Sequence, residues 1–151
     1  MNDPYNLKRF VDAQQSVYEE VCLELKEGRK RSHWMWFIFP QMKGLGHSAM
    51  AKRYAISSRE EAEAYLSHPI LGQRLRECSR LVAAINGHSI EDIFGYPDYM
   101  KFRSSMTLFT QVDPDEKVFS QCMQKYFGEA ADPDTLAWLP SLKPSAESGA
   151  G

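Results

Sequence analysis

Alternation of apolar and polar residues with a period of two is absent throughout the 151-residue chain, so no segment reads convincingly as a strand. Cysteine is scarce. Cys22, Cys78 and Cys122 stand far apart, match neither a zinc knuckle nor a C-x-x-C redox pair, and cannot all pair within the chain. They read as free thiols in or beside apolar helical stripes, reduced and slow to react. Positive charge is not in excess: the net charge is −2 and the pI about 6.1, which leaves no global field to hold a nucleic acid. No apolar run approaches a bilayer span, and the stretch from Met1 to Lys30 is amphipathic and charged, unlike a secretory leader. A cytoplasmic protein without a membrane partner is the expectation. The four histidines, His33, His47, His68 and His88, lack metal-ligand spacing, so no metal is expected and no cofactor is implied. Dinucleotide and P-loop glycine fingerprints are missing as well.

What is present is aromatic and helical. The run Trp34-Met35-Trp36-Phe37-Ile38-Phe39 followed by Pro40 is apolar on every side and bracketed by His33 and Gln41. With no period of its own, it is either threaded through the core or lines a cavity there. A length of 151 residues at 43% hydrophobic suffices for one core without staples. The sequence predicts a single all-α domain over residues 1–140, of about six to eight helices wrapped around this run, and a flexible tail over 141–151.

Helix punctuation supports that class. Asp3-Pro4 and Gly28 bound a first helix with the stripe Leu7, Phe10, Val11, Val17, Tyr18, Val21 and Leu25. Ser58-Arg59-Glu60-Glu61 reads as a capping box, and His68-Pro69 opens a helix that Asn86-Gly87 ends. A short helix from Ser89 closes at Gly95, and Pro97 opens one that carries Lys101, Ser104 and Ser105 on a common face. Asp113-Pro114 precedes a helix closed by Gly128, and Asp132-Pro133 starts the last. Gly44-Leu45-Gly46 reads as a plain turn, after which Arg53 and Tyr54 offer a cation and a ring.

Several polar residues sit inside segments otherwise committed to the core. Gln14 lies within the first stripe, where its amide either holds a loop carbonyl or faces a polar pocket, the former being favoured. His33 has the chemistry of a general base, and Lys101 four residues before Ser105 has the spacing of a lysine base and serine nucleophile. A plain structural role is the simpler account of each. Burying several unpaired polar groups costs about 1–3 kcal/mol apiece, so a shared cavity is the economical explanation of the set.

The strings Leu7 to Gln14, His33 to Gln41, Tyr54-Ala55-Ile56, His68 to Gly72, Ile93-Phe94-Gly95 and Ser104 to Phe109 resemble the helical bacterial family known as domain of unknown function 1810. The resemblance spans roughly Tyr5 to Leu139. It implies a multihelical fold and no established activity; the calpastatin-like label sometimes given to such proteins finds no support in these residues.

Three function classes follow. The leading one is an aromatic-walled pocket for a small anionic or nucleotide-like ligand, built from Gln14, His33, Trp34, Trp36, Gln41, Lys101, Ser104 and Ser105. In the second, the same pocket hydrolyses an ADP-ribose derivative, with His33, Lys101 and Ser105 as catalytic candidates. The third is a protein- or single-stranded-RNA-interaction module that uses Arg29, Lys30, Arg31 and exposed aromatics.

Overall fold

The aromatic run folds as a single helical turn whose side chains leave in opposite directions to seed two ring clusters. The computed structural model describes residues 3–141. In chain order they form α1 (Lys8–Gln15), α2 (Tyr18–Glu27), α3 (Met35–Ile38), α4 (Ala49–Arg53), α5 (Arg59–Ser67), α6 (Leu71–Ala84), α7 (Ile90–Phe94), α8 (Asp98–Val112), α9 (Lys117–Phe127) and α10 (Pro133–Ser141). From α3, Trp34 and Phe39 reach Phe94 and Phe102, with the Phe39 and Phe102 rings edge-on at 4.9 Å and Phe94 stacked on Phe102 at 4.8 Å. Phe37 turns the other way onto Tyr54, which joins Phe10 and Tyr65. Around this hub α8 packs on α9, α6 on α9, α5 on α6 and α2 on α6.

The all-α class holds and no strand occurs among the described residues, but the helices number ten rather than six to eight. One reason is that the first stripe is not one helix. After Gln15 the chain tightens, with the Val17 N–H bonded to the Gln14 carbonyl, and it restarts as α2. The break lets α1 face α3 while α2 faces α6. The other reason is that α3 and α4 are short turns below the length at which periodicity is readable. An isolated parallel bridge between Met42 and Ile56 is the only ladder contact among the described residues. The expected tail lies, from residue 142 onward, outside the described residues.

Several boundaries follow the predicted chemistry. Gly28 and Gly128 end α2 and α9 in the left-handed conformation, with φ of 78° and 59°. Ser58 and Ser89 cap α5 and α7, and the Asp132 carboxylate accepts the Thr135 N–H and hydroxyl at the start of α10. Gly87 does not end α6. That helix stops at Ala84, with Ile85 extended, because its last carbonyls already have partners: Lys125 donates to Ala83 and Ile85, and the Tyr126 hydroxyl donates to Val82.

At the other end of α6, the His68 ring accepts the N–H groups of Ile70 and Leu71, and Gly72 comes so close to α5 that an added Cβ would lie 2.1 Å from the Leu66 carbonyl oxygen. Gly72→Ala is therefore expected to cost about 2–3 kcal/mol, even after the gain in helix propensity, because backbone rather than a flexible side chain must move. Thermal denaturation would show this as a midpoint lowered by roughly 5–10 °C. An unchanged midpoint would mean that the α5–α6 corner opens without cost.

The hub is tied to the rest by two buried polar nodes. Glu24, fully buried on α2, accepts hydrogen bonds from the Trp34 indole N–H at 2.9 Å, the Ser32 hydroxyl at 2.5 Å, and the backbone N–H groups of Arg31 and Ser32 at 2.7 and 3.0 Å. Gln14 donates to the Phe37 carbonyl at 2.7 Å and accepts from Arg74 at 3.3 Å. Its role is structural, but the carbonyl it holds belongs to the short helix α3 and not to a loop.

Candidate functional site

Two hollows flank the segment that runs from Gln41 to Ala55. The first is a crevice lined by Met35, Trp36, Phe39, Gln41, Ala51, Tyr54 and Lys101, with a volume of about 10 Å³, the size of one water molecule. Trp36 is half-buried, and its indole N–H is buried without a partner among the described residues. The Lys101 ammonium lies 5.5 Å from the Trp36 ring centroid and 3.9 Å from Asp98, whose second oxygen holds Lys30 at 2.8 Å. Lys30 in turn covers the Trp34 ring at 5.3 Å. One carboxylate thus carries two lysines, each resting on an indole face.

The second hollow is an open cleft of about 760 Å³ between the start of α1 and the loop that the Met42–Ile56 bridge closes. Its floor is the Arg9 guanidinium, which donates to the carbonyls of Tyr5, Asn6, Arg53 and Ala55 and to Glu61 at 2.8 Å. Glu61 is buried and also accepts the N–H and hydroxyl of Ser57. Lys43, Lys52 and Arg53 complete the lining, and among the described residues none of them enters an ion pair. Gly46 separates the two hollows: a Cβ there would meet Ala51 Cβ at 2.5 Å and Gln41 Nε2 at 3.4 Å.

Residues 4–139 match the model of a family described as a protein of unknown function, DUF1810. The chain belongs to that family. A conserved hypothetical protein from Mycobacterium tuberculosis, known from a crystal structure, is 54% identical and has a TM-score of 0.90, with 91% of this chain and 99% of that one covered. No curated protein matches.

In this DUF1810 chain the residues named from the sequence do not all meet. Trp36, Gln41 and Lys101 share the crevice. His33 is exposed and outside its lining, since it lies one residue before the buried run, where the chain is still at the surface. Trp34 is spent on Glu24 and Gln14 on Phe37. Ser104 donates to the Met100 carbonyl of its own helix at 3.1 Å. Ser105 is fully buried and its hydroxyl has no hydrogen-bond partner among the described residues, while Lys101 is held by Asp98 and Trp36, so the two form no hydrogen-bonded dyad. The basic cluster is largely consumed too: Lys30 pairs with Asp98 and Arg31 with Glu27, and Arg29 is left exposed.

The cleft of this family member is what sequence reading missed. Its signal was partial. Lys43 and Lys52-Arg53 flank Gly44-Leu45-Gly46, but the floor depends on Arg9 meeting Glu61 across 52 positions, a pairing that no local pattern announces. Among the described residues no helix is long and apolar enough to cross a membrane.

Proposed function

We propose that the chain is a binding protein for a small phosphate-bearing anion, held in the cleft over Arg9, with Trp36, Gln41 and Lys101 in the neighbouring crevice beyond Gly46. The observation that carries this reading is the set of unpaired cations. Lys43, Lys52 and Arg53 ring an open cleft whose floor cation is already neutralised by Glu61, so the local field stays positive on a chain of net charge −2. A volume of about 760 Å³ falls within the range of ligand sites, whereas the crevice at Trp36 is too small for a nucleobase.

Binding is favoured over hydrolysis of an ADP-ribose derivative because His33 is exposed outside the crevice that holds Lys101, and Lys101 is engaged by Asp98 and Trp36 and not by Ser105. It is favoured over RNA binding because Trp34 is buried and offers no stacking face. The test is a thermal-shift series with inorganic phosphate, pyrophosphate, nucleotides and ADP-ribose. A ligand at about 100 times its Kd stabilises by about 2.7 kcal/mol, or roughly 5–10 °C here. The double variant Lys43→Ala, Lys52→Ala is expected to keep its unliganded midpoint, both residues being exposed, and to lose the shift. Lys101→Ala, in the separate crevice, is expected to keep most of the shift. Absence of a shift with every anion, or an equal shift in the double variant, would remove the cleft as the site. Conversion of a bound nucleotide to products would restore the hydrolase reading.

A further inference from the structure

α2 and α6 pack together and gather three chemically active groups. Tyr18 and Cys22 are one turn apart on α2, and Cys78 faces them from α6. The Tyr18 hydroxyl donates to Glu77 at 2.5 Å, and the Cys78 thiol points at the Tyr18 oxygen at 3.9 Å. Because Cys22 follows Tyr18 by one turn on the same face of α2, the Tyr18–Cys78 contact brings the Cys78 thiol to the side of α2 that carries Cys22, and each thiol shifts the other, Cys22 down and Cys78 up. Cys78 is fully buried, but Cys22 is only half-buried, because it lies next to the stripe of Val21 and Leu25 and not within it. All three thiols are free, as expected, but Cys22 stands beside its stripe and is the one that solvent reaches.

We propose that Cys22 and Cys78 are a peroxide-oxidisable dithiol, in which Cys22 is the modification site and Cys78 resolves it as a disulfide joining α2 to α6. The solvent-reachable sulfur has the chemistry for this. The neighbouring Cys78 thiol, against the effect of partial burial, holds the Cys22 thiol down to about 7, with Lys26 assisting and Glu77 opposing. Cys78 is pushed well above the ordinary thiol range by the same contact and by burial, so the proton stays on the inner sulfur.

In the first step the Cys22 thiolate attacks a hydroperoxide: an S–O bond forms, the O–O bond breaks, and the leaving oxygen takes a proton to depart as water or alcohol. Sulfur loses two electrons and the peroxide gains them. In the second step the Cys78 sulfur attacks the sulfenic sulfur of Cys22. The S–S bond forms, the S–O bond breaks, and the Cys78 proton leaves with that oxygen as water. Cys122 provides an internal control, since burial pushes it up to about 12 and its thiol donates to the Ser79 carbonyl at 3.3 Å.

The experiment uses the full reduced chain and hydrogen peroxide. Iodoacetamide under native conditions should label Cys22 well before Cys122, with a rate that titrates near pH 7. After peroxide, peptide mapping should show a Cys22–Cys78 disulfide with Cys122 still free, unchanged by Cys122→Ser. Cys78→Ser should leave Cys22 as a sulfenic acid that a cyclic dione traps. Should that variant fail to fold, the wild-type map alone decides. Oxidation of Cys22 without linkage to Cys78, a Cys22–Cys22 dimer on a non-reducing gel, or equal labelling of Cys22 and Cys122 would each overturn the proposal.

Discussion

Glu24→Ala is expected to lose about 3–5 kcal/mol of stability, a large part of what a domain of this size possesses. Four donors converge on this carboxylate: Trp34 Nε1, the Ser32 hydroxyl, and two backbone N–H groups of the 31–32 turn. Alanine would leave the buried indole N–H unpaired at the hub and free the turn that feeds α3. Urea denaturation followed by tryptophan fluorescence measures the loss, and a change below about 1 kcal/mol would show that water replaces the carboxylate freely. The same group sets an acid limit. Burial acts to raise its pKa, but the bonds from Ser32, Arg31 and Trp34 outweigh burial and hold it at about 2, below the ordinary value of 4.5. Because the folded value is depressed, the stabilisation is complete above pH about 4.5. It is lost as the pH falls toward 2, on the order of 3 kcal/mol in all. In Glu24→Gln, which has no carboxylate to protonate, that part of the acid transition should disappear.

Arg9→Ala is the second large effect, expected at about 3 kcal/mol or more. The guanidinium satisfies four carbonyls and, among the described residues, is the only cation paired with Glu61, whose side chain is 3% exposed. Removing it strands a buried carboxylate that, among the described residues, keeps Ser57 alone as a partner. Arg9→Lys keeps the charge but not the planar fork, so it should recover less than half of the loss. A double-mutant cycle with Glu61→Gln isolates the pair, with an expected coupling of about 0.5–3 kcal/mol. Additive losses would mean that Arg9 acts through the carbonyls alone. Because those carbonyls belong to both walls of the cleft, the same substitution should abolish anion-induced stabilisation while Lys101→Ala leaves most of it.

The parts of this fold that were legible are those whose physics is local. Ser58, Ser89 and Asp132 satisfy N–H groups three residues ahead of them, and Gly28 and Gly128 supply the left-handed residue that ends a helix. The hub was legible because a run that is apolar on all sides has nowhere else to go. What escaped depends on distant partners. The end of α6 is set by Lys125 and Tyr126 some 40 residues later, and nothing near Asn86-Gly87 reveals that its carbonyls are already occupied. The candidate site divides the same way. Trp36, Gln41 and Lys101 meet in one crevice, as amphipathic or polar groups at the edges of apolar segments can. Ser105 misled because a four-residue spacing on a helix fixes neighbourhood, not depth: its hydroxyl is in the interior while Lys101 rests on an indole at the rim.

The bridge between Met42 and Ile56 has an evolutionary reach. Two backbone hydrogen bonds, from Ile56 to Gln41 at 2.9 Å and from Lys43 to Ile56 at 2.8 Å, clasp the neck of the intervening loop. Tyr54, near its downstream end, is anchored among the rings of Phe10 and Phe37. The exposed positions beyond the neck can therefore be rewritten, shortened or lengthened with little penalty, since the entropy of closing a loop grows only slowly with its length. Such a clasped loop is a cassette. Under the binding reading proposed above, exchanging this one segment is expected to change which anion stabilises the protein while the aromatic hub keeps its own stability.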